Sequence, residues 1–584
     1  MSNANNIRLC IVGTGFSGTA ALFHLVNSLT EKRNAIPTVE IITIEERKVN
    51  GPGLPYAPSE LLPSHLCNNQ ARVMSVHSND FCDWMAENRL RLLRDYPFLV
   101  KETHPVFSQE EWEPDPDAFY PRALFGIYLR DRFEQTVAKA SKFGVKIETL
   151  NGFRAIDGFR KSSKFNIVLE EAESGHTKII PLVDKVLLST GHWVPDETRS
   201  PDTTSTFLDS PYPYSRLKSY FNNWSKNQQE QPLRVFVKGM GPSGIDAILS
   251  LAENGTFTYS TRGNITAYTL PENEAPFQIL AGSRCGFFPA VRGESVDYTF
   301  KYLTKNTFCE LEGALERKIG LYDILSMVDA ELKEATSGEI GWQNIVKPDF
   351  NNAYEKLRYD VACPEVNDRV HTVLLKARRM KFYRHLNAAE KEIYDRDLDT
   401  HFIRIAVPIP RQNAEKLIAL YEAGVLDSVK MGYGESQNPC FNGHAYDIKH
   451  EEHADEKTQQ QTKHADAVIR ASGQDFKLSL HPSRLVSALV ERGELLANRE
   501  GHYATGGVML DSDESYVVMS RSPATGKPVP SPHLSSYGVL TRYWQNERNF
   551  SAAFVEAALW LAETWTEYCI VQRSSKQPSS TNSN

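Results

Sequence analysis

Short apolar runs that end in glycine-rich turns are the clearest pattern along this chain. Residues 7–12, apart from Arg8, and residues 235–237 are apolar or β-branched runs, typical of strands buried in a parallel sheet. A stretch with helical apolar spacing follows each turn, and a second apolar run, residues 39–44, follows the first of these helices. The order strand, turn, helix, strand predicts an α/β fold.

The two turns share the pattern Gly-x-Gly-x-x-Gly. In that pattern the first glycine permits a tight turn, the second lets the backbone approach a pyrophosphate, and the third lets the helix pack closely. The helix N-terminus then offers free N–H groups and a partial positive charge to phosphates. The predicted contacts are Gly13, Gly15, Phe16, Ser17 and Gly18 in the first turn, and Gly239, Gly241, Pro242, Ser243 and Gly244 in the second.

A second signature follows each glycine turn at a distance. Residues 186–191 and 468–473 are apolar strands that end in a turn of small residues, and they add Thr190, Gly191, Ser472 and Gly473 to the predicted sites. The chain therefore contains an internal duplication. The alternative is a pair of β-α-β crossovers without any ligand, and it has to explain both copies of both signatures.

Composition sets the boundaries of the domains. The 584 residues exceed a single core, so two to four domains are expected. We expect a first domain over 1–195 with a β-meander at 143–190, a linker over 196–231 that is rich in Pro, Ser and Asn, and a second domain over 232–475. Within the second domain, residues 295–400 are rich in helix formers and predict a helical insertion over the active-site cleft. Residues 476–570 return to the first domain, and 571–584 form a disordered tail.

Charge and cysteine content exclude several classes of protein. A net charge of −8 argues against nucleic acid or an anionic membrane as the main partner, and no run approaches the roughly 20 apolar residues of a membrane span. Residues 1–6 lead directly into the first strand and leave no room for a signal peptide, so a cytoplasmic location is expected. Eight cysteines form no Cys-x-x-Cys, which disfavours a disulfide reductase. The histidines in the polar stretch 449–463 lack metal-binding spacing, so we expect a solvated loop and no metal site.

Charged residues after the strands indicate the nucleotides. Glu45 and Glu46 end the strand at 39–44, where a carboxylate binds the ribose of an adenine dinucleotide; the alternative is an exposed strand terminus. In the second unit, the strand predicted at 264–270 ends without a carboxylate. Arg284 and Arg292 lie beyond it and suit the 2′-phosphate of NADPH, unless they are plain surface charges.

Further motifs resemble a bacterial family of FAD/NAD(P)-binding flavoproteins. They are Gly51-Pro52-Gly53-Leu54-Pro55-Tyr56, His65-Leu66-Cys67-Asn68, Met74-Ser75 and Tyr120-Pro121-Arg122. The resemblance implies that Gly53, Tyr56, His65, Asn68, Met74, Ser75 and Arg122 belong to an FAD site. Arg122 has two interpretations: it neutralises a phosphate or the reduced flavin, or it caps a local carboxylate.

The duplicated plan also resembles flavoproteins with two Rossmann-like dinucleotide-binding domains, FAD in the first and NAD(P)H in the second. This resemblance implies hydride transfer from NADPH to FAD. The same two-site plan resembles that of single-component monooxygenases, which oxygenate a small amine or amino acid with O₂ through a flavin C4a-hydroperoxide. Two alternatives stay open: a dehydrogenase or reductase with an organic acceptor, and an FAD-binding sensor or scaffold without turnover. His65, His192 and His533 are all possible general bases, so no catalytic residue is assigned.

Overall fold

The computed structural model describes residues 6–106, 112–192, 205–227, 231–272, 274–294, 296–433, 438–454, 457–473, 477–512, 515–541 and 551–574. These residues form two α/β domains, each built around a mainly parallel sheet, together with a helical insertion in the second domain. The predicted fold class is confirmed. None of the described helices combines the length and the apolar character needed to cross a membrane.

The chain contains 21 strands in its described part. They are β1 (Ile7–Val12), β2 (Val39–Glu45), β3 (Lys146–Asn151), β4 (Phe153–Lys161), β5 (Lys164–Glu171), β6 (Thr177–Val183), β7 (Lys185–Leu188), β8 (Phe207–Leu208), β9 (Leu233–Lys238), β10 (Thr256–Tyr259), β11 (Ile265–Thr269), β12 (Phe277–Ser283), β13 (Leu426–Lys430), β14 (Cys440–Phe441), β15 (Tyr446–Ala454), β16 (Lys457–Ala465), β17 (Ala467–Arg470), β18 (Ala497–Glu500), β19 (Tyr503–Val508), β20 (Val517–Arg521) and β21 (Pro528–Ser536).

Helices pack against the sheets and form the insertion. The α-helices of the described residues are α1 (Phe16–Glu31), α2 (Asp80–Glu87), α3 (Arg89–Asp95), α4 (Pro97–Thr103), α5 (Arg122–Lys142), α6 (Tyr214–Asn227), α7 (Pro242–Leu251), α8 (Lys305–Leu315), α9 (Leu321–Ala335), α10 (Trp342–Val346), α11 (Ala353–Ala362), α12 (Pro364–Arg379), α13 (Ala388–Ile393), α14 (Asp399–Ala406), α15 (Arg411–Glu422), α16 (Arg484–Glu491) and α17 (Ser551–Ser574). A π-helical turn, Tyr394–Leu398, joins α13 to α14, and short 3-10 helices lie at Arg33–Ala35, Pro58–Glu60, Ala71–Val73, Phe382–His385 and Leu478–Leu480.

The first domain has the sheet order β20-β21-β7-β1-β2-β3. Neighbours from β21 to β3 run parallel, β20 pairs antiparallel with β21, and β4, β5 and β6 form the predicted meander. The C-terminal segment returns to this domain as expected, because β21 lies beside β7 and α17 packs along α1. Trp565 and Cys569 of α17 are buried in the same apolar cluster as Leu22 of α1.

The second domain has the order β14-β15-β13-β12-β9-β17-β8, with β16 paired to β15. The strand next to β9 is therefore β12, and the strand expected at residues 264–270 is β11, which pairs with β10 in a separate two-stranded sheet. The predicted strand is present but lies outside the main sheet, for a physical reason. The alternating sequence of β11 fits a strand with one exposed face, whereas β12 is buried along most of its length, as a central parallel strand is.

The predicted helical insertion is confirmed and extends to Ala406. Helices α8 to α14 lie between β12 and β13, and their own apolar cluster includes the buried rings of Trp342, Tyr394 and Phe402. Helix α15 then makes the crossover from the insertion to β13.

Two segments expected to be irregular contain regular structure. Within 196–231, β8 joins the second sheet and α6 packs against α7; residues 196–204 and 228–230 lie outside the described residues. The polar stretch 449–463 belongs to the β15–β16 hairpin, because its Thr and Gln side chains are compatible with strands whose backbone groups pair across the hairpin. Helix α17 ends at Ser574, and the tail expected over the last residues, 575–584, lies outside the described residues.

Candidate functional site

The first glycine turn is held by direct backbone contact with the turn after β7. Gly13 has φ +91°, and a Cβ there would lie 2.4 Å from the carbonyl oxygen of Ser189. Ser189 Oγ donates a hydrogen bond to the Gly13 carbonyl at 2.7 Å. A Cβ on Gly18 would lie 2.0 Å from that carbonyl oxygen, so α1 fits only with glycine there. Gly15 is the N-cap of α1, and no side chain caps it.

The second glycine turn repeats this geometry. Gly239 has φ +123°, and a Cβ there would lie 2.4 Å from the carbonyl oxygen of Ala471, in the turn after β17. A Cβ on Gly244 would again lie 2.0 Å from the carbonyl oxygen of the first glycine. The N–H of Gly239 donates to Gly282 of β12, as the N–H of Gly13 donates to Ile44 of β2. The structure therefore confirms the duplication in the contacts themselves.

Gly241 differs from the other turn glycines because a Cβ there would meet no atom within 4 Å. It is the N-cap of α7, and no side chain caps this helix either. The N-terminus of α7 thus faces open space of the kind that a pyrophosphate fills.

A cavity of about 1140 Å³ extends from the first glycine turn to the second domain and its insertion. The predicted residues that line it are Gly13, Gly15, Phe16, Ser17, Glu45, Glu46, Gly53, Tyr56, Asn68, Met74, Arg122, Thr190, Gly191, Pro242 and Arg292. Ten predicted residues are not among its lining: Gly18, His65, Ser75, Gly239, Gly241, Ser243, Gly244, Arg284, Ser472 and Gly473. Most of the first predicted site therefore surrounds one space, and Pro242 brings the second turn to its edge.

The loop at residues 51–56 forms one wall of the cavity through close backbone contacts. A Cβ on Gly53 would lie 2.9 Å from the Cα of Gly15, and a Cβ on Gly126 would lie 1.8 Å from the carbonyl oxygen of Tyr56. Helix α5 and the glycine turn thus hold this loop from two sides. Thr190, on the opposite wall, has a buried hydroxyl oxygen without a hydrogen-bond partner among the described residues.

The two glutamates after β2 have different environments. Glu45 is buried, and its Oε2 accepts from the backbone N–H of Thr14 at 2.9 Å and from the Thr14 hydroxyl at 2.8 Å. Glu46 is half-exposed at the cavity wall and pairs with Arg154. Glu45 thus fixes the glycine turn, whereas Glu46 presents its carboxylate at the edge of the cavity.

His65 and Ser75, predicted to contact a cofactor, have structural contacts instead. His65 Nδ1 accepts from the N–H of Leu62 at 3.3 Å, and its Nε2 lies 3.0 Å from Ser250 Oγ on α7. Burial lowers the pKa of His65 to about 4, so the ring is neutral near pH 7. Ser75 Oγ accepts from the N–H of Phe81 at 3.1 Å, at the start of α2. The sequence motif therefore marks a domain contact and a helix start.

Arg122 pairs with a carboxylate of the protein, which was the second of its two interpretations. It forms an ion pair with buried Asp246 of α7, and the Tyr212 hydroxyl donates to the same carboxylate. Burial alone would raise the pKa of Asp246, but Arg122 and His65 together hold that pKa below its usual value. Arg122 also lines the cavity, so this pair closes the space where the two domains meet.

The two arginines proposed for a nucleotide phosphate lie in different places. Arg284 directly follows β12, and its guanidinium donates to the Arg396 carbonyl at 3.0 Å and to Thr400 Oγ1 at 2.5 Å. The end of the strand beside β9 is the usual place for a residue that reads the ribose. Arg292 instead enters the cavity and lies 3.2 Å from His371 Nε2.

Of the other two candidate general bases, His192 and His533, one lines the cavity and the other does not. His192 lines the cavity beside Gly191. His533 is buried on β21, where its Nδ1 lies 3.0 Å from the Asp184 carbonyl oxygen, and it is not among the lining residues.

Helix α12 supplies cavity residues that the sequence did not single out. His371, Leu375, Arg378 and Arg379 line the cavity. They recur at helical spacing and so lie along one side of α12. That spacing was visible in the sequence, but nothing there showed which side of the helix meets the cofactor domain.

Comparisons with known proteins agree with this architecture. Residues 10–193 match the model of a family described as FAD-NAD(P)-binding, which shows an FAD-NAD(P)-binding domain over these residues. An uncharacterised protein of Escherichia coli (strain K12), YdhS, is 22% identical over 455 residues, which are 73% of this chain and 77% of YdhS.

Three solved structures are similar to this chain at low sequence identity. The reduced form of ornithine hydroxylase (PvdA) from Pseudomonas aeruginosa is 12% identical, with 97% of this chain and 99% of that chain covered and a TM-score of 0.48. L-lysine 6-monooxygenase from Pseudomonas syringae is 12% identical, with 97% and 99% covered and a TM-score of 0.47. The bacillithiol disulfide reductase Bdr (YpdA) from Bacillus cereus is 10% identical, with 96% and 99% covered and a TM-score of 0.38.

Acidification tests the buried state of His65. Its folded pKa is lowered, so the unfolded chain takes up a proton near pH 6.5 that the folded chain does not take up until about pH 4. Stability is therefore lost as the pH falls through this window, by about 1 kcal/mol for each pH unit from this group. Denaturant midpoints at about pH 7.5 and about pH 5.5 should show a smaller acid loss in His65→Asn than in wild type. His176→Asn, at an exposed histidine, is the control; equal acid losses in wild type and His65→Asn would contradict the assignment.

Proposed function

We propose that the protein is an FAD-dependent, NADPH-using oxidoreductase, and that it acts as a single-component monooxygenase on a small amine or amino acid. The observation that carries this proposal is the single cavity. It begins at the first glycine turn and ends between Pro242 of the second turn and the helical insertion. Two nucleotide sites and a substrate site would thus meet in one cavity.

The first domain fits FAD. The N-terminus of α1 has no side-chain cap, and Gly15 and Gly53 bring bare backbone to the cavity wall. Phosphates would accept hydrogen bonds from the α1 N–H groups, the ribose would meet Glu46 and Glu45, and the unpartnered Thr190 hydroxyl would find an acceptor. Tyr56, Asn68 and Met74 would then border the flavin ring.

The second domain fits NADPH. The space in front of Gly241 is open, and the α7 N-terminus behind it is uncapped. Arg284 stands at the end of β12, where its guanidinium would bind the 2′-phosphate by charge-assisted hydrogen bonds. The approach of Pro242 to the cavity would place the nicotinamide near the flavin.

The flavin would supply the redox chemistry, accepting a hydride from the nicotinamide. The protein orients the two rings and excludes water from the space between them. The cavity is poorly suited to reducing a disulfide substrate, which requires a reactive thiolate. Burial raises the pKa of Cys67, the cysteine among the described lining residues, to about 12. A thiol in that state is not a nucleophile. The proposed acceptor of the electrons is O₂, which would give one oxygen atom to the amine and the other to water, in a cytoplasm that supplies NADPH.

Two glycine substitutions should separate the nucleotide sites. Both Gly15 and Gly241 have extended backbone that accepts a side chain, and neither site has a clash for a Cβ. Gly15→Val should purify almost without FAD, because the new side chain fills the pyrophosphate space. Gly241→Val should keep FAD but not be reduced by NADPH. Gly313→Val, on helix α8, is the matched control; full flavin stoichiometry in Gly15→Val would disprove the first site.

Arg284 should set the preference for NADPH. Arg284→Ala is expected to raise the KM for NADPH by about 10- to 100-fold, because a charge-assisted contact to the 2′-phosphate is lost. The KM for NADH, which lacks that phosphate, should change little. Steady-state flavin reduction with both nucleotides measures the ratio, and an unchanged ratio would remove Arg284 from this role.

Oxygen consumption tests the reaction itself. Monooxygenation of an amine consumes one O₂ and one NADPH with a proton, and yields the hydroxylated amine, NADP⁺ and water. Amine-stimulated O₂ uptake matched to NADPH loss and to product formation is the expected result. Turnover under anaerobic conditions with an organic acceptor would instead support a dehydrogenase, and a bound flavin that NADPH cannot reduce would support a sensor or scaffold.

A further inference from the structure

The insertion end of the cavity contains guanidinium groups whose hydrogen-bonding capacity is unfilled. Arg292 and Arg378 both line it, and the Nε of each is buried without a hydrogen-bond partner among the described residues. His371 lies between Arg292 and the rest of α12, with Arg292 Nη1 at 3.2 Å from its Nε2. We call Arg292, His371 and Arg378 the arginine cluster.

The arginine cluster is positively charged. Burial, together with Arg292 and Arg379 nearby, lowers the pKa of His371 to about 3, so the imidazole is neutral near pH 7. It can therefore accept a hydrogen bond from Arg292 but cannot cancel its charge. Burial of a guanidinium whose Nε–H is left without an acceptor is costly, which favours an anion from outside the chain.

The carboxylates near the cluster lie outside the cavity. Asp368 accepts the N–H of Val296 at 2.8 Å, and although burial raises its pKa, its charge also interacts with that of Arg292. Burial, together with the nearby charge of Asp399, raises the pKa of Tyr394. Neither carboxylate lines the cavity. The acids among the described lining residues are Glu45, the last residue of β2, and Glu46, which follows it, both at the opposite, glycine-turn end.

We propose that the arginine cluster binds a carboxylate of the substrate, so that the substrate is an amine with at least one acidic group rather than a diamine. The amine part rests on the proposed monooxygenase function, whereas the anion site rests on the cluster alone. An ammonium group at this end would face two guanidinium charges in a space of low dielectric and would be disfavoured. A carboxylate would fill the open donor positions.

The arginine cluster lies apart from the positions proposed for the nucleotide phosphates. Arg292 Nη2 lies 3.5 Å from the carbonyl oxygen of Asn68, in the loop assigned to the flavin ring. The phosphate sites are at the glycine turns and at Arg284, which is not among the cavity lining. A carboxylate and a phosphate are both oxyanions that accept hydrogen bonds from guanidinium groups, so the binding of both kinds of ligand has to be measured.

Equilibrium binding to the FAD-loaded protein tests the proposal without turnover. Succinate, L-aspartate, cadaverine and NADP⁺ are titrated separately, with calorimetry and the visible spectrum of the flavin as readouts. The variants are Arg292→Gln and Arg378→Gln, with Lys376→Gln as a matched control. Lys376 is on the same helix, but its Nζ lies over the Phe300 ring and the residue does not line the cavity.

We expect succinate and L-aspartate to bind wild type more tightly than cadaverine. Each arginine variant should raise the Kd of succinate about 10-fold, since one charge-assisted contact is lost, whereas Lys376→Gln should not. The two arginines are tested separately, so a folding defect in one variant leaves the other informative.

Three results would overturn the proposal. They are failure of succinate to bind wild type, cadaverine binding as tight as that of succinate, and variants that lose NADP⁺ affinity while succinate affinity is unchanged. The last would assign the cluster to the nucleotide. Failure of amine-stimulated oxygen uptake would count against the monooxygenase function, and succinate binding would still decide the anion site.

Discussion

Direct contact between two turns, backbone against backbone, is the constraint on which both nucleotide sites depend. In each domain the first glycine of the turn lies so close to the turn of a neighbouring strand that a Cβ would come within 2.4 Å of a carbonyl oxygen, from Ser189 in one domain and Ala471 in the other. The contact fixes the central strand beside its partner and brings the start of the next helix to the edge of the sheet. Uncapped N–H groups at these helix starts are then free for phosphates.

Buried polar contacts between the domains give the cavity its shape. The Arg122–Asp246 ion pair and the His65–Ser250 contact join the first domain to α7, and Lys416 of α15 pairs with Glu102 of α4. Apolar packing would tolerate a shift of one domain along the other, whereas buried charges are costly unless their partners stay in place. These pairs therefore hold one relative position of the two nucleotide sites, which hydride transfer between bound cofactors requires.

Local patterns predicted much of the fold, and long-range geometry explains the failures. The first β-α-β unit was predictable because strand, glycine turn and helix are adjacent in sequence. The position of β12 next to β9 was not predicted, because the alternating pattern of β11 is the stronger local β signal. Arg284 was nevertheless found, since it follows the true strand β12. The motif His65-Leu66-Cys67-Asn68 was recognised, but which of its side chains would face the cavity depends on α7, a distant helix.

The glycine turns and the helical insertion form different ends of the cavity, and this separates cofactor recognition from substrate recognition. The glycine turns recognise parts common to all dinucleotides, so their contacts say nothing about the substrate. The insertion is not needed for either nucleotide fold, yet it provides Arg378 and the His371 ring that meets Arg292. A change of charge on this one side of α12 would alter the charge of the accepted substrate and leave both glycine turns as they are. Substrate choice would therefore be separable from cofactor choice in this architecture, because different segments of the chain build the two ends of the cavity.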